Sequence, residues 1–157
     1  MKMDKTRSIY KSAGYFLFLL VIITLFCPAN TRADQNIRIN VKTILASGGK
    51  DFIDPRLKSL VSELQSVFRY SSYEFLNQKG LSLSTNKKGV VSLPEGRVMN
   101  IFAKGIEGNR VVLEIEITRN SSRIFQTVIK LRNNSSITIG GPRHKGGNLL
   151  FNIFASF

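Results

Sequence analysis

Val111-Val112-Leu113-Glu114-Ile115-Glu116-Ile117-Thr118 decides the fold class. Val111, Leu113, Ile115 and Ile117 share one parity; Val112, Glu114, Glu116 and Thr118 share the other. A strict period of two puts the first set on a buried face and the second on a wetter one, which is the pattern of a half-buried strand. Glu107-Gly108-Asn109 before it and Asn120-Ser121-Ser122 after it are turn signals. A chain that turns this soon at both ends of a strand is built from antiparallel neighbours.

The same grammar extends in both directions. Downstream, Ile124 to Leu131 reads as a strand with Phe125, Ile129 and Leu131 inside, followed by an Asn133-Asn134-Ser135 turn and a short strand Ile137 to Ile139. A loop from Gly140 to Gly147 then leads to a last strand, Leu149 to Phe157. Upstream, Val90 to Leu93 and Arg97 to Lys104 flank a Pro94-Glu95-Gly96 turn. Tyr73, Phe75, Leu81 and Leu83 share a parity that Asn77 and Lys79 interrupt, which predicts a bend or bulge near Gly80. Ile37 to Leu45 is an alternating strand with Ile37, Ile39, Val41 and Leu45 on one face.

Only one segment breaks the pattern. Asp54-Pro55 supplies an N-cap and a proline at the first helical position. Leu57, Leu60, Val61, Leu64, Val67 and Phe68 then recur at steps of three and four, predicting one amphipathic helix over about 55–68. Parallel crossovers need a dozen residues or more, and the connections after this helix are far shorter. The expected fold is therefore mainly β (α+β): an antiparallel meander forming a small sandwich or partly open barrel with one amphipathic helix.

The first 33 residues read differently. Lys2, Lys5, Arg7 and Lys11 precede Tyr15–Phe26, an unbroken apolar run, and Thr31-Arg32-Ala33 offers small residues before Asp34. Basic, apolar, small is the order of a secretory signal peptide, with cleavage expected after Ala33 or, as a variant, after Ala29. Twelve helical residues reach about 18 Å, short of the roughly 30 Å hydrocarbon core. Two alternatives stay open: a retained anchor over 13–29, and lipidation at Cys27, which has Phe26 before it where lipoprotein signals carry a small residue. The expected organisation is a signal peptide over 1–33 and a single β-rich domain over 34–157, located in the periplasm or outside the cell.

Charge narrows the partner. The chain carries +13, of which the leader holds five cations against Asp4, leaving +9 on the mature part. Such an excess favours anionic surfaces such as phosphorylated lipid, nucleic acid or acidic glycan, although the basic residues are scattered and also serve solubility. The expected partner is another envelope protein or an anionic surface, a membrane among them; export and the lack of a basic-aromatic motif argue against nucleic acid. With its one cysteine in the leader, the mature domain has no thiol to make a disulfide or bind a metal.

Catalytic and binding motifs are sparse. Gly-x-Ser-x-Gly is absent, and Ser47-Gly48-Gly49-Lys50 lacks phosphate-loop spacing. His144, the only histidine, lies between Arg143 and Lys145 and is expected to be a solvated loop side chain. Glu114 and Glu116 project from one strand face, where pairing with Lys or Arg across strands accounts for them; a hydrolase using His144 with either is the catalytic alternative. Asn120-Ser121-Ser122 and Asn134-Ser135-Ser136 match the glycosylation sequon. The most distinctive local feature is the glycine-rich stretch 140–147. Its candidate contact residues are Arg143, His144, Lys145, Gly146 and Gly147, where bare amides and cations together suit an anion or partner. No cofactor, metal or catalytic residue is expected.

Three resemblances add to this reading. The stretch 127–141 (TVIKLRNNSSITIGG) resembles a segment of outer-membrane secretins: a strand, a polar turn and a hydrophobic-x-hydrophobic-Gly-Gly ending. Asn133 and Asn134 stand where that family usually has an acidic residue and glycine. The resemblance implies a shared hairpin style and no residue roles. The layout of signal, strand, capped helix, strands and a Gly-Pro-x-x-x-Gly closing loop is similar to small exported proteins of unknown function in deltaproteobacteria, which implies a compartment. Phe157, with Ala155, Ile153, Phe151 and Leu149 at alternate positions, looks like the closing strand of outer-membrane barrels. That likeness implies an outer-membrane-associated alternative, but a barrel needs at least about eight strands of about nine to eleven residues.

Overall fold

A computed structural model of the protein describes residues 36–157, so the expected leader, with Cys27, lies outside the described residues. The strands are β1 (Ile37–Ser47), β2 (Phe52–Ile53), β3 (Ser72–Leu83), β4 (Lys88–Leu93), β5 (Arg97–Glu107), β6 (Arg110–Arg119), β7 (Ser122–Arg132), β8 (Ser135–His144) and β9 (Gly147–Ser156). A 3-10 turn (Pro55–Leu57) and helix α1 (Val61–Val67) fall between β2 and β3.

The strands form two sheets, ordered β2-β3-β1-β9-β8 and β4-β5-β6-β7. The second is the expected meander, built on hairpins such as Asn120-Ser121, whose φ values of 49° and 63° supply the twist a two-residue hairpin requires. In the first sheet β1 and the chain-terminal β9 lie side by side in the middle. Burial accounts for this departure from a meander. Val41, Thr43, Ile44, Leu45 and Ala46 on β1 and 149–153 on β9 are buried on both parities, and only a central strand has both faces covered. All pairings are antiparallel except the two-residue contact of β2 with β3, whose connection contains the helix and is long enough for a crossover.

The chain changes sheet at β3–β4 and at β7–β8, so the two layers are joined by short turns at both edges. Between them lies the main core, with Ile39, Val41, Met99, Ile101, Leu113, Ile115, Phe151 and Ile153 nearly or wholly excluded from solvent. The architecture is a small β-sandwich with one helix. Its main core lies between the two sheets, whereas a spanning barrel turns its apolar residues to lipid. A second cluster lies on the outer face of the first sheet, where Ile44, Ala46, Tyr73 and Leu150 meet Leu57 and Leu64.

Four expectations change in detail. The helix predicted over 55–68 is a 3-10 turn followed by a shorter α-helix. Asp54 accepts the Arg56 backbone N–H at 2.9 Å, and Leu60 N–H still bonds three residues back to Leu57, whereas Leu64 and Phe68 bond four back. Leu57, Leu60, Leu64 and Phe68 pack against the sheet, and Val67, at the end of the helix, is 64% exposed. The bulge in β3 lies at Leu76, not Gly80: Thr43 pairs with Asn77 and Ile44 with Phe75. Tyr73 and Phe75 therefore face the helix, while Leu81 and Leu83 face the other sheet. The turn at 133–134, expected to close a hairpin, carries the chain from one sheet to the other. Lastly, most of 140–147 is strand. β8 continues through a bulge between Gly140 and Arg143, with Pro142 on an edge strand where a missing N–H is tolerated.

Candidate functional site

Only Lys145 and Gly146 remain as the turn between β8 and β9, at φ 44° and 76°. Their neighbours are fixed by close approach. A Cβ on Gly147 would run into the Ala46 carbonyl oxygen of β1, and one on Gly141 into the Phe151 ring. Asn148 donates through Nδ2 to the Tyr70 hydroxyl. The hairpin tip is thus pinned from below and from the side.

His144, the last residue of β8, is 5% exposed, which corrects the expectation of a solvated side chain. What draws it in is Glu95, whose Oε1 lies 2.7 Å from His144 Nδ1. The other carboxylate oxygen, Oε2, accepts from Arg97 Nη2 at 2.6 Å, and the same Nη2 donates to the Arg143 carbonyl at 2.9 Å. Arg97 shares the inward parity of Met99, Ile101 and Ala103, so its guanidinium enters the end of the sandwich and its side chain is 7% exposed. Arg97 Nε and Nη1 are buried without a hydrogen-bond partner among the described residues. This network ties the β4–β5 turn to the β8–β9 hairpin across the open end between the sheets.

The electrostatics follow from the contacts. The hydrogen bond from His144 is the main influence holding the Glu95 carboxyl below its ordinary range, with Arg97 adding attraction and partial burial opposing it. Glu95 itself sits at φ 60°, a sparsely populated region for a residue with a Cβ. Such strain persists where surrounding contacts over-determine it, and here His144 and Arg97 both grip the side chain.

Glu95, His144, Arg143, Lys145, Gly146, Gly147 and Asn148 line a cleft of about 520 Å³. All five residues named from the sequence are brought together there. Glu95 is already engaged by two partners, whereas the exposed Arg143 and Lys145 side chains form no ion pair among the described residues. The cleft thus offers two free cations beside bare glycine backbone, a combination suited to an anion. A carboxylate–imidazole pair can also poise a base, but no serine, threonine, cysteine or tyrosine lines this cleft to act as a nucleophile.

Glu114 lies elsewhere. It pairs with Lys104 Nζ at 2.6 Å and accepts from Gln126 Nε2 at 2.6 Å on the outer face of the second sheet. The cross-strand pairing expected of Glu114 is present, and the carboxylate that His144 meets is Glu95. Glu95 and Arg97 were legible only as a turn residue and a strand start. The available signal was Arg97 itself: a charge on the apolar parity of a strand must find a buried partner.

Fold and cleft together define a small β-sandwich with a basic, acid-braced hairpin tip. No protein-family model, no curated protein and no solved structure matches the chain.

Proposed function

We propose that the protein is an exported, non-enzymatic binding or assembly module of the cell envelope, engaging an anionic partner through the cleft at the β8–β9 tip. The observation that carries this reading is the pair of unengaged cations, Arg143 and Lys145, on a hairpin held rigid by Glu95, His144 and Gly147. A pre-organised site loses less freedom on binding than a mobile loop. The signal-like leader supports a periplasmic or surface location, as does the layout resemblance to small exported deltaproteobacterial proteins. The partner class is another envelope protein or an anionic surface. Capture from a solubilised envelope fraction tests it: Arg143→Ala/Lys145→Ala should lose the captured component while keeping the wild-type circular dichroism. Equal capture by both proteins would refute the cleft as the contact.

One further observation favours a second mode. Each of β7 and β8 has a neighbour in its sheet on one side only, leaving a backbone edge that a partner strand can extend. Capture through that edge would resist salt, whereas capture through the cations weakens as ionic strength rises.

A further inference from the structure

Helix α1 covers only half of the outer face of the first sheet. Beneath it lie Phe75, Ile44 and Leu150, aligned across β3, β1 and β9. The half that no other described residue covers continues the same cross-strand rows with a different chemistry. One row runs Gln78, Lys42, Asn152, Thr138, and the next Gly80, Asn40, Phe154, Ser136, each spanning β3, β1, β9 and β8. Three strand spacings make each row about 14 Å long.

Two hollows of about 470 and 340 Å³ flank the second row and share Asn40 and Phe154. Gly80 opens the first, since a Cβ there would meet nothing within 4 Å. Leu60 and Lys42 help to line the second. Phe154 stands between them as a 38% exposed aromatic ring on a strand that is otherwise largely buried. Asn40 Oδ1 is buried without a hydrogen-bond partner among the described residues. Neither hollow is lined by Asp or Glu, and Glu63 at the margin is occupied as acceptor of the Thr138 hydroxyl at 2.8 Å. Arg38 and Lys42, by contrast, are in no ion pair among the described residues.

We infer that this half-face is a second binding site, a groove for a short acidic oligosaccharide lying across β3, β1, β9 and β8 with a sugar ring over Phe154. Each element of the groove answers to one property of that ligand class. Side-chain amides both donate and accept, matching hydroxyl groups that do the same. The negative face of an aromatic ring attracts the polarised C–H face of a pyranose. Arg38 and Lys42, two cations against the single marginal acid Glu63, select a carboxylate-bearing sugar over a neutral one. A peptide strand would find its backbone partners at an open sheet edge, not on this face.

Calorimetry on the full-length protein with tetragalacturonate, and with neutral chitotetraose as control, tests the inference. The acidic tetramer should bind at least tenfold more tightly than the neutral one. Phe154→Ala should weaken that binding about tenfold or more, and Lys42→Ala should remove the preference for the acid. Gly80→Leu, which has room for its side chain, should block the groove with the fold intact. Arg143→Ala/Lys145→Ala should bind the tetramer as wild type does, which separates this groove from the end cleft. Absence of tetragalacturonate binding overturns the inference. So does binding that survives both Phe154→Ala and Gly80→Leu and is matched by inorganic polyphosphate, because attraction to net charge alone then explains it.

Discussion

Glu95 combines an unfavourable backbone, at φ 60°, with a carboxylate shared between His144 and Arg97. Its folded carboxyl titrates below the ordinary 4.5. The folded state therefore binds fewer protons than the unfolded chain in that region, so the stabilisation is complete above about 4.5 and disappears as pH falls through the lowered value. Asp54, held by Arg56 down to about 2, behaves in the same sense at lower pH. Glu95→Gln should melt below wild type at pH 7 and lose less Tm than wild type between pH 5 and 3; an unchanged acid slope would contradict the role given to this carboxylate. Gly147 makes a separate prediction at this scale. Alanine there must displace the Ala46 carbonyl or the hairpin, costing about 1–3 kcal/mol in urea unfolding, as overpacking does. Gly48, with open space around it, should accept alanine with little change. The five residues of the tip could be nominated from sequence because glycine and cations cluster there. Their acidic brace could not, because Glu95 lies 49 positions away and only the packing of the two sheets brings it to His144.

The helical segment shows how an element can be legible in kind and wrong in pitch. Leu57, Leu60, Leu64 and Phe68 announced an apolar stripe, and Asp54 with Pro55 marked its start. Steps of three and four do not distinguish a continuous α-helix from a 3-10 turn followed by one, nor do they show that Val67, at the edge of the stripe, is exposed. Leu64→Ala should therefore cost about 2–5 kcal/mol, as a fully buried leucine does, while Val67→Ala should fall within about 0.5 kcal/mol of wild type. Equal losses would contradict the exposure of Val67. The far end of the segment is held by the Tyr73 hydroxyl, which donates to the Phe68 carbonyl and lies 3.2 Å from that of Leu64. Tyr73→Phe should cost about 1 kcal/mol and raise amide exchange in α1 more than in β6. β8 was misread for a related reason: Gly140, Gly141 and Pro142 are loop residues by habit, yet an edge strand with a bulge accommodates all three.

At the scale of the molecule, alternation was enough to recover a two-layer β fold, because parity reports directly on burial. Pairing across long separations carries no such local signature, and the β1–β9 contact that centres the first sheet joins the two ends of the described chain. That contact, with the core shared between sheets, should make urea unfolding a single transition by both fluorescence and circular dichroism. The proposed role adds a claim of location. The basic tip matters to an anionic envelope component only if the polypeptide leaves the cytosol. Fractionation of native cells with intact-mass measurement addresses this most directly. The account predicts a species beginning at Asp34, or at Asn30 for the earlier cut, in the envelope or outside the cell. A soluble cytosolic species retaining Met1 would contradict it, and the proposed partners would fall with it.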